Sequence, residues 1–182
     1  MTQGVDTNRE KGDGAPDAPP APDPHALEKR KHAELLAKVA FFEGISERGL
    51  LLFAEVTKEE SYGLGERIFS FGDPGDKLYI ILDGKVRISR DVAGMGEEAL
   101  AVLAPGEVFG EMSLLDESPR SAGAMAHERC RLLTVTKSDF DDLLFLHKSL
   151  AFEVLWTCIK VLSARLRETN DKLTFLSASG KF

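Results

Sequence analysis

The sequence predicts an α+β protein in which an antiparallel β sandwich or barrel lies between helical segments. From about Val56 to Thr136, short β-branched or aromatic runs alternate with glycine corners. On either side of that region, apolar residues recur at helical spacing. Between two of the β-like runs stands Asp83-Gly84, a pair suited to a tight hairpin turn.

Residues 1–22 are rich in Gly, Pro, Ala and Asp, with Pro16, Pro19, Pro20 and Pro22 close together. Such a stretch cannot bury enough apolar surface to offset its ordering entropy, so a disordered tail is predicted. Order begins at Asp23-Pro24, with Asp23 as an N-cap and Pro24 at the first helical position. Leu27, Leu35, Leu36 and Val39 follow, and Phe41-Phe42 close the segment against the core. Ser46 caps a second, short helix through Leu50, Leu51 and Phe53.

The β-like runs are Ile68-Phe69, Leu78-Tyr79-Ile80-Ile81, Lys85-Val86-Arg87-Ile88, Ala99-Leu100-Ala101-Val102 and Arg131-Leu132-Leu133-Thr134-Val135. Asp83-Gly84 joins the second to the third. Ser138-Asp139-Phe140-Asp141 then predicts a capped helix start, with acidic residues at the positive end of the helix dipole. A longer amphipathic segment runs over 150–173. Its residues Leu155, Ile159, Leu162, Leu166, Thr169 and Leu173 step alternately by four and three, the spacing of a coiled-coil seam. The seam predicts a homodimer; the alternative is a terminal helix folded back on its own domain. The resulting boundaries are a tail over 1–22, a main domain over 23–149, a dimerisation helix over 150–174 and a short tail over 175–182.

Bulk properties narrow the function. A chain of 182 residues supports one ordinary domain with appendages. The net charge of −7 argues against coating nucleic acid but permits a local pocket for one small anion. Cys130 and Cys158 form no metal or disulfide pattern and read as reduced thiols. The first residues lack the basic-then-apolar order of a signal peptide, and no apolar run approaches the ~20 residues needed to span a bilayer. A cytoplasmic protein with no membrane partner is expected. His25, His32, His127 and His147 are scattered over different segments, and no nucleophile stands beside a base. The expectation is therefore a non-enzymatic protein, with no catalytic residues, no metal and no cofactor.

One stretch does carry binding chemistry. Gly110 before a short helical run, Gly110-Glu111-Met112-Ser113-Leu114-Leu115, permits close backbone approach and aims N–H groups at an anion. Arg120 offers a planar fork suited to phosphate oxygens. Glu111 would repel an anion and fits better as an acceptor for a hydroxyl. The plainer alternative is that Glu111 caps a turn and pairs with Arg120 on a surface.

The segment Phe109-Gly110-Glu111-Met112-Ser113-Leu114, followed by Pro119-Arg120-Ser121-Ala122, closely resembles the phosphate-binding cassette of the cyclic-nucleotide-binding family. Upstream, Gly65-Glu66-Arg67-Ile68-Phe69-Ser70-Phe71-Gly72-Asp73-Pro74-Gly75-Asp76 and Leu78-Tyr79-Ile80-Ile81-Leu82-Asp83-Gly84-Lys85-Val86 resemble that family's glycine-cornered β-roll. The resemblance extends over about 35–173, reaching the sensor domain and dimer helix of the catabolite activator protein group. The cassette is also similar to that of cAMP-dependent protein kinase regulatory subunits. It implies an eight-stranded antiparallel β-roll (jelly roll) flanked by N-terminal and C-terminal helices. It also implies a ligand, cAMP or cGMP, held between cassette and C-terminal helix.

Carried over by position, the resemblance makes Glu111 the acceptor for the ribose 2′-hydroxyl and Arg120 the partner of the cyclic phosphate. The amides of Met112, Ser113 and Ala122 and the hydroxyl of Ser121 would complete the cradle, next to Gly110. Thr169 and Asn170 stand where the catabolite activator group uses two hydroxyl residues on adenine, one of them across the dimer. Asn170 departs from that pattern but can still hydrogen-bond an amino group. The expected ligand is cAMP ahead of cGMP. Transcription factors of this group continue into a helix-turn-helix domain, and Thr174–Phe182 are too few to form one. The expectation is thus a sensor without nucleic-acid contact, signalling through its C-terminal helix to an unidentified partner protein. A protein-interaction scaffold with a vestigial pocket is the alternative.

Overall fold

Continuous apolar runs such as Leu78-Tyr79-Ile80-Ile81 require a strand covered on both faces, and a computed structural model of the chain places them in one. It describes residues 24–178 apart from Ala93 and Met95, and the side chains of Val92 and Leu176 are likewise not described. The tail expected over 1–22, the Asp23 cap and residues 179–182 lie outside the described residues.

Helix α1 (Pro24–Leu36), a 3₁₀ turn (Ala40–Phe42) and α2 (Glu47–Glu55) precede six strands, β1 (Lys58–Tyr62), β2 (Arg67–Phe69), β3 (Lys77–Asp83), β4 (Val86–Val92), β5 (Gly96–Leu103) and β6 (Val108–Phe109). The short α3 (Glu111–Asp116), β7 (Gly123–Ala126), β8 (Cys130–Thr136), α4 (Lys137–Leu146) and α5 (Lys148–Ala178) complete the chain. The strands form two four-stranded antiparallel sheets, ordered β1-β8-β3-β6 and β2-β7-β4-β5. This is the expected α+β architecture of eight antiparallel strands flanked by helices.

The first sheet separates two cores. Leu78 and Ile80 of β3, with Leu133 and Val135 of β8, face the helices and meet Phe42, Phe53, Phe140, Leu150 and Val154. The alternate residues Tyr79, Ile81, Cys130 and Leu132 turn into the roll, against Val86, Phe109, Ala124 and Ala126. An edge-on aromatic chain, Phe41–Phe42–Phe53–Phe140, links the N-terminal helices to α4.

Two local readings are corrected. Asp83-Gly84 is not a hairpin turn, because β3 and β4 belong to different sheets. Gly84 has φ +78°, and a Cβ there would stand 2.1 Å from the Arg129 carbonyl oxygen. The glycine therefore turns the chain from one sheet to the other under the Arg129–Cys130 backbone; the paired hairpin is β4–β5. The α4 cap is Thr136 rather than Ser138: Asp139 N–H donates to Thr136 Oγ1 at 3.1 Å, and Thr136 Oγ1 donates to the Asp139 carboxylate at 2.7 Å. The cap lies two residues earlier because β8 passes directly into the helix. Ser46 caps α2 as expected, accepting from Gly49 N–H.

Helix α5 runs past both expected limits, so residues 175–178, read as tail, are helical. Its first half packs on the core through Leu150, Val154 and Cys158. Glu153 accepts from the Ser46 amide and hydroxyl, tying α5 to the start of α2.

Helix α1 docks through a polar contact. The buried His32 ring donates through Nδ1 to Thr57 Oγ1 at 2.9 Å, since that hydroxyl spends its own proton on Ala54 O. Lys29 Nζ donates to Thr57 O at 2.8 Å. Burial, then the Lys29 charge, hold the His32 pKa below its usual 6.5; the opposing pull of Glu28 and Glu59 is weaker. The neutral ring is thus the docked form, and its contribution is complete above the unfolded value and lost as pH falls below 6.5. The protection of the α1 amides, corrected for the intrinsic pH dependence of exchange, is expected to fall from about pH 7.5 to about pH 5.5, and His32→Gln to flatten that dependence. An α1 protection that does not change with pH would contradict this.

Candidate functional site

The cassette is built by backbone reciprocity between two loops. Arg120 N–H donates to Asp73 O and Gly72 N–H to Arg120 O, each at 2.9 Å, so the glycine corner before β3 holds the Pro119–Arg120 segment. Gly75 lets α3 approach this corner: a Cβ there would lie 1.9 Å from Ser113 Cβ. Gly110 has φ +78°, opens α3, and leaves room for a guanidinium where a Cβ would come within 2.6 Å of Arg120 Nη1.

Into that space comes Arg120, only 2% exposed. Nη1 donates to Gly110 O at 3.0 Å and Nη2 to Lys77 O at 2.8 Å. Its carbon Cζ lies 4.3 Å from the Phe69 ring centroid and 5.6 Å from that of Tyr79, and Tyr79 stacks on Phe109. Among the described residues the one carboxylate in contact is Asp76, at 3.3 Å and 70% exposed, and Arg120 Nε has no partner. A buried cation with a loose counter-ion and an unpaired donor suits an anion from outside.

Glu111, the first residue of α3, is 4% exposed. It does not pair with Arg120 on a surface, which removes the plainer alternative. Its partner is Arg165 of α5, whose Nη1 donates to Glu111 Oε1 and whose Nη2 donates to Val108 O at 2.6 Å. Burial pushes the Glu111 carboxyl above its ordinary range, and the guanidinium of Arg165, more than that of Arg120, draws it back. Beneath lies Cys158, its thiol pushed up to about 11 by burial and then by the Glu111 charge.

A cavity of about 430 Å³ brings Glu111, Arg120 and Arg165 together, within the size range of small-ligand sites. Its wall includes Gly110, Glu111, Met112, Ser113, Arg120, Ser121 and Ala122 from the cassette, and Leu100 to Leu103 from β5. Thr169 of α5 also lines it, with Oγ1 donating to Arg165 O at 2.8 Å. Asn170 does not line it. One residue on, it points about 100° further round the helix, on the exposed side that also carries Ile159, Leu166 and Leu173.

Sequence reasoning missed Arg165, Glu168 and Lys172, which line the cavity too. With Thr169 they fall at i, i+3, i+4 and i+7, one face of α5. That polar stripe was readable, but the apolar seam beside it, which shares Thr169, drew the assignment. Among the described residues no group of His, Cys, Asp and Glu is disposed to hold a metal ion, and no helix is long and apolar enough to cross a membrane.

Comparison with known proteins agrees with this geometry. Residues 59–147 match the family described as the cyclic nucleotide-binding domain. The "Cyclic AMP receptor protein" of Thermus thermophilus is 40% identical over 136 residues, 75% of this chain and 61% of the relative. A cyclic nucleotide-binding domain from Methylobacillus flagellatus superposes with a TM-score of 0.72 at 26% identity, covering 82% of this chain and 84% of that one. The N-terminal domain of a transcriptional regulator from Streptomyces coelicolor gives 0.64 at 31% identity, covering 75% of this chain and 95% of that one. The chain spans 61% and 62% of the length of the first two of the curated relatives it matches. The cassette, the two-sheet roll and these likenesses agree: the chain belongs to the cyclic-nucleotide-binding domain family.

Proposed function

We propose that the protein is a non-enzymatic cyclic-nucleotide sensor, preferring cAMP to cGMP, whose output is a ligand-dependent shift of α5. The observation that carries this reading is Arg120, buried against the cavity with Nε unpaired. In this reading its guanidinium meets the cyclic phosphate beside the amides of Met112, Ser113 and Ala122 and the Ser121 hydroxyl. Glu111 accepts from the ribose 2′-hydroxyl.

Glu111 is also where α5 is held, through Arg165. A ribose hydroxyl arriving at Glu111 competes with or rearranges that contact, and the ligand thereby gains different affinities for two positions of α5, which coupling requires. The exposed face of α5, with Phe152, Leu155, Trp156, Ile159, Leu166 and Leu173, supports self-association through the seam. Asn170 then faces the second copy. We assign the output to a separate partner protein contacted through α5, in a cytoplasmic setting.

Calorimetric titration with cAMP and cGMP, paired with hydrogen exchange, tests the reading. Binding of cAMP is expected to be the tighter, with changed protection over 155–173 at saturation. No heat and no thermal stabilisation with either nucleotide would reject the sensor, and unchanged protection on binding would reject the coupling.

A further inference from the structure

We propose that Glu168 and Lys172 of α5 form a donor–acceptor pair that reads the edge of the adenine base; this rests on the nucleotide reading above. Both line the cavity, on the helix face that also presents Arg165 and Thr169. Leu100 and Val102 of β5 line the same cavity with much of their surface open, an apolar floor for a flat ring. A purine laid on it turns its polar edge to the groups at the rim.

Thr169 cannot serve both sides of that edge. Its single hydroxyl proton is given to Arg165 O, so only its lone pairs remain. With Arg165 engaged by Glu111 and Val108 O, the remaining charged donor among these four residues of α5 is Lys172, and the charged acceptor is Glu168. They are joined at 2.7 Å, one helical turn apart, and both are more than half exposed. An exposed pair of this kind contributes little to stability, so opening it to admit a base is cheap. The Lys172 hydrogen bond holds the Glu168 carboxyl below its usual range, so near neutral pH it is ionised and accepts only.

Adenine presents an amino donor beside a ring-nitrogen acceptor. Glu168 takes the first and Lys172 supplies the second, a match of one acceptor and one donor to one donor and one acceptor. Guanine presents a carbonyl and ring N–H in those places, the reverse order.

The test compares cAMP with the 3′,5′-cyclic monophosphate of purine riboside, which keeps the ring nitrogen and lacks the amino group. The wild type is expected to prefer cAMP by about tenfold or more, as for a hydrogen bond to a charged group. Glu168→Ala is expected to bring the two affinities together while leaving that of the amino-free analogue within about twofold, the range over which no hydrogen bond has been lost. Lys172→Met should weaken both ligands by a similar factor. A preference for cAMP that survives in Glu168→Ala, or equal wild-type affinities, overturns the base-reading pair and leaves the nucleotide reading standing. Failure of both ligands to bind the wild type overturns both.

Discussion

Arg120→Ala is expected to weaken cyclic-nucleotide binding by roughly 30- to 4,000-fold, the equivalent of about 2–5 kcal/mol for removal of one partner of a buried charge pair. The size follows from burial: at 2% exposure the guanidinium meets a phosphate with little water between them. Arg120 also holds the cassette together, since Gly110 O and Lys77 O accept from it. Alanine would leave both carbonyls without that donor and open space beneath Phe69. Ligand-free thermal unfolding must therefore be measured beside the titration. Arg120→Lys separates the two roles, because it keeps the charge and loses the fork, and its affinity is expected to fall between wild type and alanine. An Arg120→Ala protein that folds and binds with unchanged affinity would place the phosphate elsewhere.

Gly110→Ala is expected to lower stability by about 2 kcal/mol and to weaken binding by about tenfold or more. Two costs combine. At φ +78° any side chain is strained, and here the Cβ also falls 2.6 Å from Arg120 Nη1 and 3.0 Å from Lys77 O. The Lys77 carbonyl is backbone, so the guanidinium must move, and with it the donor intended for the phosphate. Gly106→Ala is the matched control: φ is +88° and a Cβ would meet nothing within 4 Å. It should show the backbone cost, about 1 kcal/mol, with affinity unchanged. Equal binding losses in the two variants would mean that strain alone, not the Arg120 position, governs the site.

The two glycines also show how much local sequence can say. Each marks a corner, and only the neighbours brought by folding make one critical and the other tolerant. The same holds at Gly84, where the turn residues suggest a hairpin and the chain instead crosses between sheets. Local chemistry fixes the backbone angle, whereas the pairing partner comes from β8 and the Arg129–Cys130 backbone, distant in sequence. At α4 the cap was two residues early because strand and helix abut, and a cap is recognised by where helical angles begin.

What the sequence determined by itself is the flanking helices, five of the eight strands and the chemistry of the cassette; β1, β6 and β7 are not among its β-like runs. Apolar runs covered on both faces give β3 and β8, and helical periodicity gives α2, α4 and α5. Glycine before Glu111, with Arg120 nine residues on, gives the chemistry expected of a phosphate site. Tertiary structure alone decided how those groups are used. Glu111 is paired not with Arg120 but with Arg165, fifty-four residues away, and of Thr169 and Asn170, adjacent in the chain and about 100° apart on α5, only Thr169 lines the cavity. The physical reason is that a helix has several faces of plausible polarity. Periodicity describes each of them, and only the packing of Leu150, Val154 and Cys158 against the roll selects which face meets the ligand cavity.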